Sequence, residues 1–349
     1  MVQNKTLIFK KTPVGYPVAG EHLVVEDRGF DAEAPAPSGG ITVEVLSASF
    51  DPYLRGRMRE AHIESYMPAF EMNGPVVNNV AARVLKSENA DFKAGDLVIA
   101  FVPIAEYVVI PEPAKVSVRK IHNPYNLEVD LFLGPLGMPG LTAWSGLYKI
   151  GKPKKGEVIF ISSAAGAVGQ VVGQIAKHEG LKVIGSVGSE EKLDFIINEL
   201  GFDGGFNYKK ESPSAGLKRL APEGIDIYFE NVGGEHLEAA LDSIHKGGRI
   251  PTCGMIGDYN TPVEKRYGVK NMFQVVAKTL EMIGFLVGKP GYGDVYFQEH
   301  QEKMQKWLAD GSFKPKLHVT QGIDNAAHGL IGIFKGENFG KAVVKVKDL

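Results

Sequence analysis

A run of small residues, Ser163-Ala164-Ala165-Gly166-Ala167-Val168-Gly169, has the composition of a turn that approaches a phosphate closely. It lies between an apolar stretch typical of a buried strand, Val158–Ser162, and a segment with a helical apolar face, Gly169–Glu179. Compared with G-x-G-x-x-G, Gly166 and Gly169 stand at the second and third glycines, and an alanine replaces the first. The N-terminus of the helix would offer N–H groups and a positive dipole end to a pyrophosphate. The run therefore predicts a dinucleotide site, with a ligand-free βα turn as the alternative.

The end of the next predicted strand, Lys182–Val187, indicates which dinucleotide binds. A protein that binds NAD usually has Asp or Glu there to bind the ribose hydroxyls, whereas this chain continues Gly188-Ser189-Glu190-Glu191-Lys192. The two glutamates fall in the first turn of a predicted helix, Glu190–Leu200, where acidic side chains suit the dipole. Lys192 lies one turn into that helix and could reach a 2′-phosphate. The pattern favours NADPH, with a solvated Lys192 as the alternative.

Cysteine and histidine offer no obvious metal site. Cys253 is the only cysteine, which excludes an intrachain disulfide and any zinc site that needs two thiolates. No neighbour is of a type that would obviously lower the pKa of its thiol, so we expect a packed side chain rather than a nucleophile. Four of the histidines are scattered, at His22, His62, His122 and His178. The sequence predicts no metal site.

Composition and charge limit the class of protein. A length of 349 residues favours two domains. The 39 basic and 41 acidic side chains give a formal charge of −2, which argues against a nucleic-acid-binding protein because such proteins usually carry a basic excess. With 44% hydrophobic and 23% charged residues, the composition is that of an ordinary globular protein.

Two segments bear on localisation. The first eleven residues, MVQNKTLIFKK, lack the apolar core and cleavage site of a signal peptide, so we expect a cytoplasmic protein. Val158–Ala176 is uncharged and about long enough to span a bilayer. Its two serines, three glycines and two glutamines fit a buried strand, a turn and a helix better. We expect no membrane association.

The spacing of turn residues divides the chain into two parts. Up to residue 132, short strand-like runs alternate with loops rich in Pro, Gly and Ser, which predicts a small β-barrel or sandwich. These runs are Ile41–Ala48, Ala81–Val84 and Leu97–Ala100. From residue 133, strands alternate with helices, which predicts βαβ units and a parallel sheet. The later elements expected in this part are strands at Ile225–Glu230 and Ile283–Val287 and a helix at Tyr296–Ala309.

After Gly311 short β-like runs return and end in Ala342–Val346. The predicted first domain is therefore discontinuous, with residues 1–132 and 312–349. The second domain is predicted to be 133–311. The fold class expected is α/β, with a β-rich domain beside a doubly wound parallel sheet.

Several motifs in a fixed order resemble one family over essentially the whole chain. They are Asp51–Met58 (DPYLRGRM), Gly134–Leu147 (GPLGMPGLTAWSGL), the run from Ile161 to Lys177 (ISSAAGAVGQVVGQIAK), Gly188–Lys192 (GSEEK), Phe229–Gly234 (FENVGG), Cys253–Asn260 (CGMIGDYN) and Gly336–Lys341 (GENFGK). Together they resemble the zinc-free medium-chain dehydrogenase/reductases of the prostaglandin reductase and alkenal double-bond reductase type, which are similar to leukotriene hydroxydehydrogenases.

The resemblance implies a fold, an activity and partners. The fold is a GroES-like substrate domain with a Rossmann cofactor domain. The activity is NADPH-dependent reduction of the carbon–carbon double bond in α,β-unsaturated ketones or aldehydes. The partners are a small enone or enal and a second copy of the chain in a homodimer.

The resemblance also implies the site residues. Cofactor-binding positions are Met138, Thr142, Gly166, Ala167, Val168, Gly188, Ser189, Lys192, Tyr208, Asn231, Cys253, Phe285, Leu286, Val287 and Asn338. Among them, Lys192 and Tyr208 would contact the adenosine 2′-phosphate, and Asn338 would close over the cofactor. Tyr53 and Tyr66 would line the substrate cleft.

Tyr259 is the catalytic residue that the resemblance implies. In related reductases a tyrosine at this place hydrogen-bonds the substrate carbonyl. Hydride reaches the β-carbon and negative charge collects on the carbonyl oxygen, so a phenolic donor there stabilises the transition state more than the ground state. The alternative is a tyrosine in a surface loop with no role.

Two other functions remain open from the sequence. A quinone reductase of the same superfamily would share the cofactor site, and a non-catalytic NADPH-binding protein would keep the fold alone. The substrate domain departs from the family at Asn78 and Asn79, where small residues are common, so the shape of the substrate pocket is not implied. Arg55 and Arg57 are expected to anchor a loop through main-chain carbonyls.

Overall fold

The computed structural model describes all residues from Met1 to Leu349, which form two compact units. The first unit contains residues 1–133 and 317–349, and the second contains 134–316. The second unit continues beyond residue 311 because two glutamines of one helix hold the returning chain. The Gln170 side chain accepts from the Lys316 N–H at 2.9 Å and donates to the Lys316 carbonyl at 3.0 Å. The Gln174 side chain binds Lys314 in the same way, at 2.8 and 3.2 Å.

The chain forms fifteen strands and nine α-helices. The strands are β1 Lys5–Phe9, β2 Leu23–Asp27, β3 Ile41–Ser49, β4 Val77–Ser87, β5 Leu97–Pro103, β6 Tyr107–Ile110, β7 Arg119–Lys120, β8 Val158–Ile161, β9 Lys182–Val187, β10 Gly204–Asn207, β11 Ile225–Phe229, β12 Ile244–Thr252, β13 Glu281–Gly284, β14 Leu317–Gln321 and β15 Lys341–Lys345. The helices are α1 Leu54–Arg57, α2 Met138–Gly146, α3 Gly169–His178, α4 Glu190–Asp194, α5 Pro213–Leu220, α6 Gly234–Ser243, α7 Phe273–Ala277, α8 Gly293–Ala309 and α9 Ala326–Lys335.

Short helical turns of other types complete the backbone. The π-helical segments are Leu147–Gly151 and Phe195–Glu199, and the 3₁₀ turns are Pro113–Val116, Val129–Leu133, Ile256–Asp258, Val263–Lys265 and Ile323–Asn325. None of the helices has both the length and the apolar composition needed to cross a bilayer.

The first unit is built on a seven-stranded sheet. Six strands follow the order β14-β15-β3-β4-β5-β7, and β6 pairs with β3 beside this path. All neighbours are antiparallel except β14 and β15. Every residue of β3 is buried, and one apolar cluster joins β1–β6 with β15 and α9. Strands β1 and β2 form a separate two-stranded sheet.

The second unit is built on a six-stranded parallel sheet in the order β10-β9-β8-β11-β12-β13. The chain starts in the middle of the sheet at β8, runs outwards to β10, and returns to β11 on the other side of β8. This is the strand order of doubly wound dinucleotide-binding folds. The predicted fold class, a β-rich unit with a doubly wound parallel sheet, is confirmed.

Two predicted elements were wrong. The last strand of the parallel sheet is Glu281–Gly284 rather than Ile283–Val287, because only Glu281–Gly284 pairs with β12 and the chain then leaves the ladder. The sequence also predicted only β-like runs after Gly311, whereas Ala326–Lys335 is a helix. Its interior glycines weaken the helix signal, but Gly329 is needed for packing, since a Cβ there would lie 2.3 Å from Thr320 Oγ1.

Candidate active site

The parallel sheet reverses its winding between β8 and β11, and loops from both strands meet at that point. Asn231 follows β11, and its main-chain N–H donates to Ser162 Oγ at 3.0 Å. Its side-chain Nδ2 donates to the Ser162 carbonyl at 2.8 Å. In open α/β sheets the crevice beyond the carboxyl ends of the strands at such a reversal is where ligands bind. The structure thus brings two predicted cofactor segments together.

The glycine-rich turn after β8 is closed too tightly for side chains. Gly166 donates to the Ser163 carbonyl at 2.9 Å. A Cβ on Gly169 would lie 2.3 Å from the Ser163 carbonyl oxygen, so only glycine fits where the helix begins. The main-chain amides of Ala167 and Val168 follow Gly166 in this turn. They lie at the N-terminus of α3, where free donors and the helix dipole suit an anion.

The end of β9 is shaped by a glycine and an aromatic ring. A Cβ on Gly188 would lie 3.1 Å from Tyr208 Oη and 3.2 Å from Tyr208 Cε1, so the glycine leaves space for that ring. Tyr208 follows β10 and donates its main-chain N–H to the Val187 carbonyl at 3.0 Å. Ser189 Oγ accepts from the main-chain N–H of Lys192 at 3.3 Å and caps α4. Four predicted residues therefore lie together.

The charges at this end of β9 are positive. Burial lowers the pKa of the Lys192 ammonium, and the neighbouring Lys209 lowers it further. Of the two glutamates in the first turn of the helix, Glu190 accepts from Asn207 Nδ2 at 2.7 Å and pairs with Lys210 at 3.1 Å. The charge of Glu191 acts on Lys192 and raises its pKa. The Lys192 and Lys209 cations, which lie close enough to interact, fit a phosphate.

Met138, Thr142 and Phe285 lie at the other side of the sheet. Thr142 is buried in α2, and its hydroxyl donates to the Met138 carbonyl at 2.7 Å. The Phe285 ring packs where Gly146 lacks a side chain, since a Cβ there would lie 2.5 Å from Phe285 Cζ. The Phe285 ring also meets Phe229 edge-on, with the ring centroids 6.5 Å apart.

The next two predicted residues form a turn. The Leu286 carbonyl accepts from Lys289, and the Val287 carbonyl accepts from Gly293, both at 3.0 Å. Each carbonyl oxygen accepts one hydrogen bond within the chain and keeps a second lone pair with which it can accept from a ligand.

The Tyr259 hydroxyl lies directly over the chain that leaves β12. A Cβ on Gly254 would be 3.1 Å from Tyr259 Oη, and the next nearest atom to it is the Asn231 carbonyl oxygen at 3.9 Å. A 3₁₀ turn, Ile256–Asp258, ends at the half-buried Tyr259 and sets its position. The phenol is thus held at the carboxyl edge of the sheet, close to the segment that follows β11.

Cys253 precedes this glycine and is partly buried. Burial, followed by the nearby Glu230, raises the pKa of its thiol to about 12. The side chain is packed, as expected, and its lack of reactivity stays a prediction.

The sequence reasoning missed Glu230. This carboxyl is fully buried, and its Oε1 accepts from Tyr228 Oη and the Val232 N–H at 2.7 Å and from the Gly233 N–H at 2.8 Å. Burial raises its pKa. Glu230 holds the turn in which Asn231 lies. The signal available in the sequence was an acidic residue directly after a buried strand.

Three predicted residues belong to the first unit. Tyr53 Oη donates to Asn78 Oδ1 at 2.6 Å, and Tyr66 is 56% exposed. Burial, and then the charge of Asp51, raise the pKa of Tyr53, and Tyr66 contributes to the same shift. Asn338 is half-buried, and its Nδ2 donates to the Gly340 carbonyl at 2.8 Å.

The two arginines near Tyr53 bind main-chain carbonyls, as expected. Arg57 donates to Pro68 at 3.0 Å and to Val77 at 2.7 Å. Arg55 donates to Gly15 at 2.7 Å. The predicted structural role of both side chains is confirmed.

Comparison with known proteins agrees with this architecture. Residues 5–118 match a family profile described as the N-terminal domain of oxidoreductase, and residues 167–309 match one described as zinc-binding dehydrogenase. The chain is 49% identical to the NADP-dependent oxidoreductase RED1 of Cochliobolus heterostrophus over 100% of this chain and 99% of the relative. It is 40% identical to the 2-alkenal reductase (NADP(+)-dependent) of Nicotiana tabacum over 99% and 98%.

A solved structure is similar over the whole chain. It is CurA from Vibrio vulnificus in complex with NADPH, with a TM-score of 0.90, 33% identity, and coverage of 99% of this chain and 100% of that one. The doubly wound sheet, its glycine turn and the β-rich unit define an oxidoreductase fold. The chain belongs to the zinc-free medium-chain dehydrogenase/reductase family. Its side chains include no group of three or more His, Cys, Asp or Glu that could hold a metal.

Proposed function

We propose that this protein reduces the carbon–carbon double bond of α,β-unsaturated ketones and aldehydes with NADPH. The observation that carries the proposal is the Tyr259 hydroxyl, held over Gly254 at the carboxyl edge of the parallel sheet. A phenol at this place is a hydrogen-bond donor where a carbonyl oxygen would gain charge. The 2-alkenal reductase of tobacco, 40% identical over nearly the whole chain, supports the same reaction class.

NADPH is the cofactor, and the residues present fit it. The main-chain amides at the start of α3 suit the pyrophosphate. Lys192 and Tyr208, with Lys209 close to Lys192, suit the adenosine 2′-phosphate. Asn231 and Cys253 border the ribose and linker, with Thr142, Met138 and Phe285–Val287 towards the nicotinamide. When bound, NADPH supplies the hydride.

Tyr259 donates a hydrogen bond to the substrate carbonyl oxygen. As hydride adds to the β-carbon, the electron pair of the double bond shifts and the carbonyl oxygen gains negative charge. The hydrogen bond from Tyr259 therefore strengthens towards the transition state, which lowers the barrier. A proton from water then completes the reduction at the α-carbon.

Three residues of the first unit have roles in this proposal. Tyr53 and Tyr66 are its substrate-binding residues, with aromatic rings that suit an apolar enone, and Asn338 is a cofactor-binding residue. The two compact units, residues 1–133 with 317–349 and residues 134–316, are then the substrate and cofactor domains.

The test incubates the protein and NADPH with a panel of alkenals, aryl enones and quinones. The loss of NADPH absorbance and the mass of each product are measured. A gain of two hydrogens with the carbonyl intact is expected for the enals and enones. Reduction of the carbonyl or of quinones alone would overturn the proposal in favour of a neighbouring branch. Tight NADPH binding with no turnover across the panel would also overturn it.

We propose further that the protein is a homodimer paired at β13. This strand is the edge of the parallel sheet, so one row of its main-chain groups is unpaired. Beside it, Phe273 and Val276 are 75% and 69% exposed, which is unusual for such apolar residues on a monomer. Light scattering should give twice the mass of 37.8 kDa, and Phe273→Glu should give the monomer. A monomer for the unmodified protein would overturn this assignment.

A further inference from the structure

Glu190 has the residue type and the spacing of a residue that binds NAD. It lies 21 positions after Gly169, the last glycine of the turn before α3. In NAD-binding proteins an acidic residue about 20 positions beyond the glycine motif binds the ribose 2′-hydroxyl. The same carboxylate would repel the 2′-phosphate that distinguishes NADPH from NADH. A chain that binds NADPH is therefore expected to keep this carboxylate away from the phosphate.

The Glu190 carboxylate is restrained by two partners at the ends of neighbouring strands. Its Oε1 accepts from Asn207 Nδ2 at 2.7 Å and pairs with Lys210 Nζ at 3.1 Å. The Glu190 and Lys210 side chains are 58% and 68% exposed, and such an ion pair contributes little. Asn207, the last residue of β10, is buried. The hydrogen bond from its amide is therefore the stronger restraint.

The amide of Asn207 can face in only one direction. Its Oδ1 accepts from the main-chain N–H of Lys209 at 3.1 Å, and a main-chain N–H can only donate. The Nδ2 group must therefore point towards Glu190, whose ionised carboxylate can only accept. The bond to Lys209 is that of an Asx-turn. One side chain thus shapes the turn after β10 and restrains the carboxylate.

The restraint keeps the charge of Glu190 from acting on Lys192, the residue expected to bind the 2′-phosphate. After burial, the influences on the pKa of the Lys192 ammonium are the charges of Lys209 and Glu191, and Glu190 is not among them. A glutamate side chain has several rotatable bonds, so without its partners the carboxylate would sample positions nearer the end of β9. The position of Glu190 therefore depends on Asn207.

We propose that Asn207 is a positioning residue that determines specificity for NADPH over NADH, because it holds the Glu190 carboxylate away from the ribose of the cofactor. With the restraint, the end of β9 offers the cations of Lys192 and Lys209 to a 2′-phosphate. Without it, the released carboxylate repels the phosphate of NADPH and accepts from the 2′-hydroxyl of NADH. The proposal concerns the choice of cofactor and does not depend on which substrate is reduced.

The first test is calorimetric titration of the full chain with NADPH and with NADH. Asn207→Ser is the informative variant, because a serine hydroxyl can still accept from the Lys209 N–H but is too short to reach Glu190. The dissociation constant for NADH divided by that for NADPH should fall by about three- to tenfold, the range of one hydrogen bond. An unchanged ratio in a folded variant would overturn the proposal.

Two neighbouring glutamates provide matched backgrounds for this substitution. In Glu190→Gln no carboxylate remains to be released, so Asn207→Ser should change the ratio by less than about twofold. In Glu191→Gln, which removes the same charge one position further along the chain, the fall should persist in full. An equal fall in both backgrounds would mean that Asn207 acts through the placement of Lys209, which would overturn the proposal.

A titration without cofactor tests the restraint itself. The hydrogen bond from Asn207, followed by that from Lys210, holds the pKa of the Glu190 carboxyl below its ordinary value. In protein labelled with ¹³C at the glutamate δ-carbon, the Glu190 signal is assigned by its loss in Glu190→Gln, a substitution at an exposed position. Its titration midpoint should lie below that of an ordinary glutamate and should rise in Asn207→Ser. An ordinary midpoint in the unmodified protein would overturn the proposal even if Asn207→Ser did not fold.

Discussion

Replacing Tyr259 by phenylalanine removes one hydroxyl and leaves the ring. Loss of one donor to a developing oxyanion typically costs about 2.7–4 kcal/mol, or about 10²–10³ in kcat. Tyr259 is half-buried rather than fully enclosed, so we expect the lower end, a fall of about 100-fold in kcat for an enone. The affinity for NADPH should not change, because the hydroxyl serves the substrate oxygen.

Gly254→Ala provides a graded version of the same perturbation. The new methyl group would lie 3.1 Å from Tyr259 Oη, closer than an ordinary contact, so the hydroxyl must move by a few tenths of an ångström. Since a misplacement of about 1 Å can cost about 100-fold, we expect a fall of about tenfold in kcat. The variant keeps both the hydroxyl and the ring.

Tyr267→Phe is the matched control for loss of a phenol in the same part of the chain. Its hydroxyl donates to Glu238 Oε1 at 3.0 Å at the surface, so it is already committed within the chain. Steady-state rates, NADPH titrations and thermal melting should be measured for all three variants. Full turnover by Tyr259→Phe, or an equal loss in Tyr267→Phe, would refute the assignment of Tyr259.

Three further predictions concern single side chains. Lys192→Ala should weaken NADPH binding by about 10–100-fold, because a charge-assisted hydrogen bond to the 2′-phosphate is lost. NADH lacks this phosphate, so its affinity should not change. Calorimetric titration measures both affinities. Burial lowers the pKa of His236 from 6.5 to about 4. Between these pH values the folded state binds fewer protons than the unfolded state, so the free energy of unfolding should fall by about 3 kcal/mol as the pH drops from 6.5 to 4. Urea unfolding of His236→Phe should show a flatter pH profile over that window, and an unchanged profile would contradict the assignment. Since burial raises the pKa of Cys253 to about 12, alkylation by iodoacetamide at neutral pH should be at least about 100-fold slower in the folded than in the urea-unfolded protein.

Local patterns were sufficient for the nucleotide half of the molecule. The strand, turn and helix around Gly166 and Gly169 follow from a short apolar run, small residues and a 3.6-residue period, all of which are local in sequence. The same holds for Lys182–Val187, which the structure reproduces to the residue. The helix Ala326–Lys335 was missed because its glycines weaken the helix signal. Gly329 leaves space for Phe50 and Thr320, and neither of these residues belongs to the helix.

The sequence by itself determined the fold class, the motif order that resembles one reductase family, and the types of residue available for chemistry. Only the tertiary structure decided how those residues are used. Asn78 accepts from the Tyr53 hydroxyl within a network that includes Asp51 and Lys341. Asp51 lies 27 positions from Asn78 in the sequence, and Lys341 lies 290 positions from Asp51. Likewise, Glu230 becomes a buried anchor only once β8 and β12 flank β11. Hydrogen bonds have direction and burial removes competing water, so such networks are fixed by three-dimensional neighbours and not by spacing along the chain.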